Sequence, residues 1–134
     1  MILVDTSTLI DALRGRDNEK SIFFRKVVSN KEPFAFSILS YQEILQGARD
    51  MHEYEKLQIY LGTQKIIHLP NQVGFYDKAS KLYMTIRRNG QTIRATTDVL
   101  IAQTALHHNL PLLHNDKDFD VISQYSDLSM VVPH

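Results

Sequence analysis

Residues 97–120 read TDVLIAQTALHHNLPLLHNDKDFD, and this stretch decides the fold. Thr97 is placed to cap a helix whose first residue is Asp98. Leu100, Ile101, Ala102, Ala105 and Leu106 then recur at helical spacing until Asn109 interrupts the run. A short apolar strand, Leu110 to Leu113, follows and stops abruptly at His114, Asn115 and Asp116. A polar cluster just past the carboxyl end of a buried strand is where α/β folds bind ligands.

Working outward, Ile2 to Val4 is a short, branched, apolar strand of the kind that becomes the centre of a parallel sheet. Asp5 ends it, and Thr6 and Ser7 can cap a helix that carries Leu9, Ile10 and Leu13 and closes at Gly15. Glu19 to Ser29 reads as a second helix, with Ile22, Phe23, Val27 and Val28 inward. After Pro33, Phe34 to Ser37 forms a second buried strand. Ser40 and Glu43 then match the S-x-x-E capping box of a further helix. A helix over Glu53 to Leu61, a strand from Lys65 to Leu69 and a long helix from Gln72 to Arg88 come next. Leu128 to Val132 supplies a last edge strand. Strands alternating with helices predict a three-layer α/β domain whose central, mostly parallel sheet is flanked by helices. At 134 residues the chain fits one domain, residues 1–134.

Composition narrows the function classes. Hydrophobic residues make up 43% and charged residues 22%, ordinary values for a globular protein. Lys plus Arg and Asp plus Glu stand at 15 each, so no global field draws the chain to nucleic acid and any such binding relies on local patches. Without cysteine there are no disulfides and no thiolate metal sites. The apolar opening is broken by Asp5 and does not read as a signal peptide, and no apolar run approaches the roughly 20 residues that span a bilayer. The expectation is a cytoplasmic protein with no membrane attachment.

Four acids share one predicted property. Asp5, Glu43, Asp98 and Asp116 all lie at strand carboxyl ends or in the first turns of helices, which in a βαβ arrangement is a single edge. Each alone has a structural explanation as a cap. Together they repel, and the repulsion is relieved either by proton uptake or by a cation. Mg²⁺ and Mn²⁺ prefer such oxygen ligands, together with waters and phosphate oxygens. A site of that kind polarises a phosphodiester and activates a water, so metal-assisted phosphodiester hydrolysis is the predicted reaction class. Thr6, Arg94, His114 and Asn115 stand beside the acids as candidates for holding them or meeting substrate. Asp118 and Asp120 are read as caps of a short turn around Phe119, and Asp11 as a partner of Arg14 on a helix face. His107 and His108 point about 100° apart on a helix and make no zinc pair. His52, His68 and His134 read as surface or structural residues.

The chain also resembles a known family, the PIN-domain ribonucleases, and in particular the VapC toxins of bacterial toxin–antitoxin pairs. The resemblance runs end to end through VDTSTLID at residues 4–11, Glu43 after the second strand, and IRRNGQTIRATTDVLIAQTALHHNLPLLHNDKDF at residues 86–119. It implies that Asp5, Glu43, Asp98 and Asp116 form the family's acidic quartet. It further implies RNA as substrate, Mg²⁺ or Mn²⁺ as cofactor, a homodimer, and a cognate antitoxin that covers the site. One departure stands out: the family usually carries Thr or Ser before the Asn-Asp pair, and this chain has His114. The alternative is a non-catalytic PIN-like interaction module whose acids serve only as caps and whose work is binding a protein or RNA partner. Other α/β classes fit less well. A haloacid-dehalogenase-type phosphatase needs an Asp where Ser7 stands, and a phosphoacceptor receiver domain needs an Asp ending its third strand, where this chain has His68 and Leu69.

Overall fold

The computed structural model describes all of residues 1–134. Its elements alternate as the sequence predicts: β1 (Ile2–Val4), α1 (Thr6–Leu13), α2 (Glu19–Ser29), β2 (Phe34–Ser37), α3 (Ile38–Gln46), α4 (Met51–Gly62), β3 (Ile66–Ile67), α5 (Val73–Arg88), α6 (Thr96–His107), β4 (Leu112–Leu113) and α7 (Lys117–Gln124). The four strands form one parallel sheet in the order β3-β2-β1-β4, with β1 central as expected. No helix is long and apolar enough to cross a membrane.

Side chains alternate across a strand, so consecutive residues feed opposite faces of the sheet. Leu3, Ala35, Ile67 and Leu112 point to one face and pack with Ala79, Leu82 and Ile86 of α5, Ile101 and Ala105 of α6, and Phe119 and Ile122 of α7. Val4, Phe36 and Leu113 point to the other and pack with Leu9 of α1, Phe24 and Val27 of α2, Ile44 and Leu45 of α3, and Leu61 of α4. The expected three layers are therefore helices, sheet and helices. With a sheet fully covered on both faces, the only place left for polar chemistry is its edge.

Several boundaries move. The turn from β2 into α3 has no loop, and Ser37 serves as both last strand residue and helix cap, its Oγ accepting the Leu39 amide at 3.1 Å. The predicted capping box at Ser40 and Glu43 does not form, and Glu43 lies a turn deeper in α3. Helix α6 starts at Thr96 after Ala95, with no side-chain cap, so Thr97 does not cap it. In α2 the buried residues are Ser21, Phe24 and Val27, while Ile22 and Val28 are exposed. The predicted edge strand at Leu128 to Val132 contracts to one parallel bridge, Leu112 with Met130. The segment around Phe119 is a true helix, α7, because Phe119 and Ile122 share a face buried against the sheet. Two left-handed residues close helices where the sequence indicates, Gly15 (φ +69°) after α1 and Asn109 (φ +53°) after α6.

Candidate metal centre

The carboxyl ends of β1 and β4 lie side by side, and the Asp5 amide donates to the Leu113 carbonyl at 3.0 Å. Asp5 caps α1, its carboxylate accepting the Thr8 amide at 3.0 Å and the Ser7 hydroxyl. It is 2% exposed, and burial pushes its pKa up to about 6 against the opposing pull of those hydrogen bonds. The exit from β4 is tied to the same turn. The Asn115 amide donates to Ser7 Oγ at 3.3 Å, and the Asn115 side chain reaches Asp11 at 3.4 Å. Asp11 pairs with Arg16 and Asn18 rather than with Arg14.

Asp116 is the N-cap of α7 and accepts the Asp118 amide at 2.9 Å. A cap on that residue places Asp118 at the second helical position, where its side chain turns back toward the cap. Asp98 enters from the first turn of α6. Carboxylate oxygens of Asp98, Asp116 and Asp118 all lie within 4.8 Å of one another. The crowding registers on Asp98, whose pKa is driven up to about 7, first by burial and then by the negative charge of Asp116, with Asp118 and Asp5 adding to it. Asp5 is thus within electrostatic reach of the cluster. Arg94 supplies the nearest positive charge. Its amide donates to Asp118 at 3.1 Å, and its exposed guanidinium stands 3.6 Å from Asp116 and 3.8 Å from Asp118.

Glu43 lies apart from this trio. Thr6 Oγ1 is 2.9 Å from both Glu43 Oε1 and Ser40 Oγ. A hydroxyl has one proton to give, so Thr6 donates to the carboxylate and Ser40 donates to Thr6. Glu43 also lines a groove of ≈ 630 Å³ with Ile10, Leu13, Arg14, Leu57 and Tyr60. His114 is buried beside Phe119. Its Nδ1 accepts the Asp116 amide at 3.2 Å, its Nε2 is 3.5 Å from Asp120, and burial pushes its pKa down.

Of the four acids singled out in the sequence, the structure crowds Asp98 with Asp116, brings Asp5 within electrostatic reach of Asp98, and ties Glu43 to Thr6 rather than into the trio. It adds one that sequence reasoning missed. Asp118 is 5% exposed, caps nothing, and faces the other two. The missed signal was the spacing Asp116-x-Asp118 at the start of a helix, which appears once KDFDVISQ is read as helical. Asp120, also read as a cap, lies on the exposed side of α7 facing His114.

The donor set is entirely carboxylate oxygen, with no sulfur and no metal-facing imidazole, which fits a hard divalent cation. Residues 2–124 match the model of the PIN domain family. A VapC ribonuclease of Mycobacterium bovis is 30% identical over 135 residues, covering 96% of this chain and 96% of that protein, and Ribonuclease VapC11 of Mycobacterium tuberculosis matches to the same extent. Among solved structures, the fold is shared with a chain of VapBC2 from Rickettsia felis bound to a promoter DNA fragment (TM-score 0.74, 21% identity, 98% of each chain covered). It is likewise shared with a chain of VapBC-1 from nontypeable Haemophilus influenzae (TM-score 0.73, 22% identity, 98% of this chain and 97% of that one). The chain belongs to the PIN domain family, among its VapC ribonucleases.

Proposed function

We propose that the chain is an endoribonuclease toxin that hydrolyses RNA phosphodiester bonds with Mg²⁺ or Mn²⁺ and is neutralised by a cognate antitoxin. The observation that carries this reading is the meeting of Asp98, Asp116 and Asp118 within 4.8 Å at the carboxyl edge of the sheet. A divalent cation held there would polarise the scissile phosphate and lower the pKa of an attacking water. Asp98, Asp116 and Asp118 would hold it, with Asp5 completing the negative field from the end of β1. Glu43, held by the hydroxyl of Thr6, the residue after Asp5, offers a further carboxylate from α3. Arg94 is the residue best placed to meet the RNA backbone, because its side chain is 74% exposed and only loosely paired with the acids.

The rival reading, an interaction module whose acids are only caps, has a real foothold: Asp5 and Asp116 do cap α1 and α7. Asp98 and Asp118 cap nothing, and helix capping has no use for a crowded group with a pKa of about 7. For the antitoxin, the groove beside Glu43 continues through Leu13 and Tyr60 into a second, apolar groove lined by Leu9, Phe24, Val28 and Phe34. An amphipathic antitoxin helix would fill that surface, and an Arg or Lys beyond it would compete for the acids. A homodimer working in the cytoplasm completes the proposal.

The decisive test is cleavage of single-stranded or looped RNA by the purified protein. Cleavage should require Mg²⁺ or Mn²⁺, stop on chelation, and be lost in Asp98→Asn. A wild type that binds the ion normally yet cuts no RNA would turn the assignment to the interaction module.

A further inference from the structure

His114 stands directly before the Asn115-Asp116 pair, where the resembled family usually carries Thr or Ser, and its surroundings are specific. The ring is 5% exposed and lies against Phe119 with centroids 5.2 Å apart. Its Nδ1 accepts the backbone amide of Asp116 at 3.2 Å. An amide can only donate, so Nδ1 carries no proton and the ring's N–H is on Nε2, which faces the Asp120 carboxylate at 3.5 Å.

The geometry continues in two steps of two residues and a third that crosses to the loop before α6. The His114 ring receives the Asp116 amide, the Asp116 carboxylate receives the Asp118 amide, and the Asp118 carboxylate receives the Arg94 amide. The first link fixes the peptide plane before Asp116, and hence the direction in which its side chain leaves the backbone. The second couples Asp118 to that choice. Two of the three crowded carboxylates therefore take their bearings from one imidazole nitrogen, itself immobilised by burial against Phe119.

We propose that His114 is a positioning residue for the Asp116 and Asp118 carboxylates, acting as a hydrogen-bond acceptor through Nδ1 and taking no part in proton transfer. The inference rests on the metal-dependent reading above. It makes the acceptor, rather than the ring, the feature that matters. Asn carries a side-chain oxygen able to receive an amide two residues on, the Asx-turn geometry, whereas Phe keeps an aromatic ring against Phe119 and has no acceptor.

The test compares wild type with His114→Asn and His114→Phe by Mn²⁺ titration calorimetry, alongside the ring ¹⁵N spectrum of the wild type and RNA cleavage. Outer partners of metal ligands typically change affinity by 10–100-fold, so His114→Phe is expected to weaken Mn²⁺ binding by about tenfold or more and His114→Asn to stay within about threefold of wild type. The wild-type ring should show the Nε2–H tautomer. A packing role for the ring predicts the reverse order, with Phe tolerated and Asn damaging, and that order overturns the proposal, as does an Nδ1–H tautomer. Should His114→Phe fail to fold, the tautomer and the Asn variant still decide. If the affinities order as expected while no variant cuts RNA, the positioning role stands and the nuclease reading falls. If wild type cuts RNA and His114→Phe binds Mn²⁺ equally well, the positioning role falls alone.

Discussion

Asp98 and Glu43 belong to helices packed on opposite faces of the sheet, α6 and α3, and they are held in opposite ways. Asp98 is packed against Asp116 and Asp118, has no hydroxyl donor to satisfy it, and has its pKa driven up to about 7. Glu43 stands alone on α3, anchored by Thr6 and through it by Ser40. A carboxylate held by hydroxyls is a finished structural element. A carboxylate crowded by its own kind is an unfinished one, because the folded chain tolerates it only by taking up a proton or a cation. The contrast separates the crowded acids, which invite a ligand, from Glu43, which is already placed before any ligand arrives.

Removing charge from the crowded side should have the largest effect. Asp98→Asn is expected to lower RNA cleavage by about 100-fold or more, the scale of losing several kcal/mol of charge stabilisation at the reacting phosphate. The metal-free variant should melt higher than wild type at pH 8, because the repulsion has gone. A variant that loses stability at that pH contradicts the crowding.

Asp118→Asn tests the acid that the sequence concealed. A loss of about 10- to 100-fold in cleavage, with Mn²⁺ affinity falling in parallel, is expected of a group in the cation's shell, and unchanged kinetics would return Asp118 to a purely structural role.

On the satisfied side, Thr6→Val deletes the hydroxyl that holds Glu43. The expected cost is about 1 kcal/mol of stability, measured by urea denaturation, with a cleavage loss of about tenfold. If cleavage is untouched, Glu43 contributes no more than its place in the groove wall.

The smallest catalytic effect belongs to Arg94→Gln. An exposed guanidinium loosely paired with acids contributes little to stability, so the variant should keep its melting temperature and show a KM raised about threefold.

Stability against pH sharpens the comparison without RNA. Asp5 and Asp98 have pKa values raised from 3.8 to about 6 and about 7, so the folded chain binds these protons more tightly than the unfolded chain. That contribution is complete below about pH 4 and is lost as pH rises through about 6 and about 7. Thermal denaturation of the metal-free protein should show this decline, and saturating Mn²⁺ should reverse it.

The central sheet was legible because its signals are local: Ile2 to Val4 and Phe34 to Ser37 are apolar runs bounded by polar residues, and each ends at the edge where chemistry follows. Asp5, Glu43, Asp98 and Asp116 could all be assigned to one edge from the alternation of elements, but alternation does not say which of them crowd together and which, as Glu43 on Thr6, is held by a hydroxyl. What escaped depended on the frame of a helix rather than its existence. Two serines three residues apart, Ser37 and Ser40, both suit an N-cap, and only the absence of a loop after β2 selects Ser37. Helix α7 is short, with Phe119 and Ile122 its fully buried apolar residues, so its pattern reads as a turn and Asp118 reads as a cap. The contacts of His114 could not be read at all, since the step from its ring to the Asp116 amide is a matter of side-chain rotamer.

Mn²⁺ titration calorimetry of the wild type at pH 7 in two buffers of different ionisation heat reads cation binding and proton release at the crowded acids together. With Asp98 partly protonated at that pH, saturable binding accompanied by net proton release is expected, and both should be lost or sharply weakened in Asp118→Asn. Binding that is unsaturable in the wild type, or equally tight in Asp118→Asn with no proton released, would contradict a cation site at these acids.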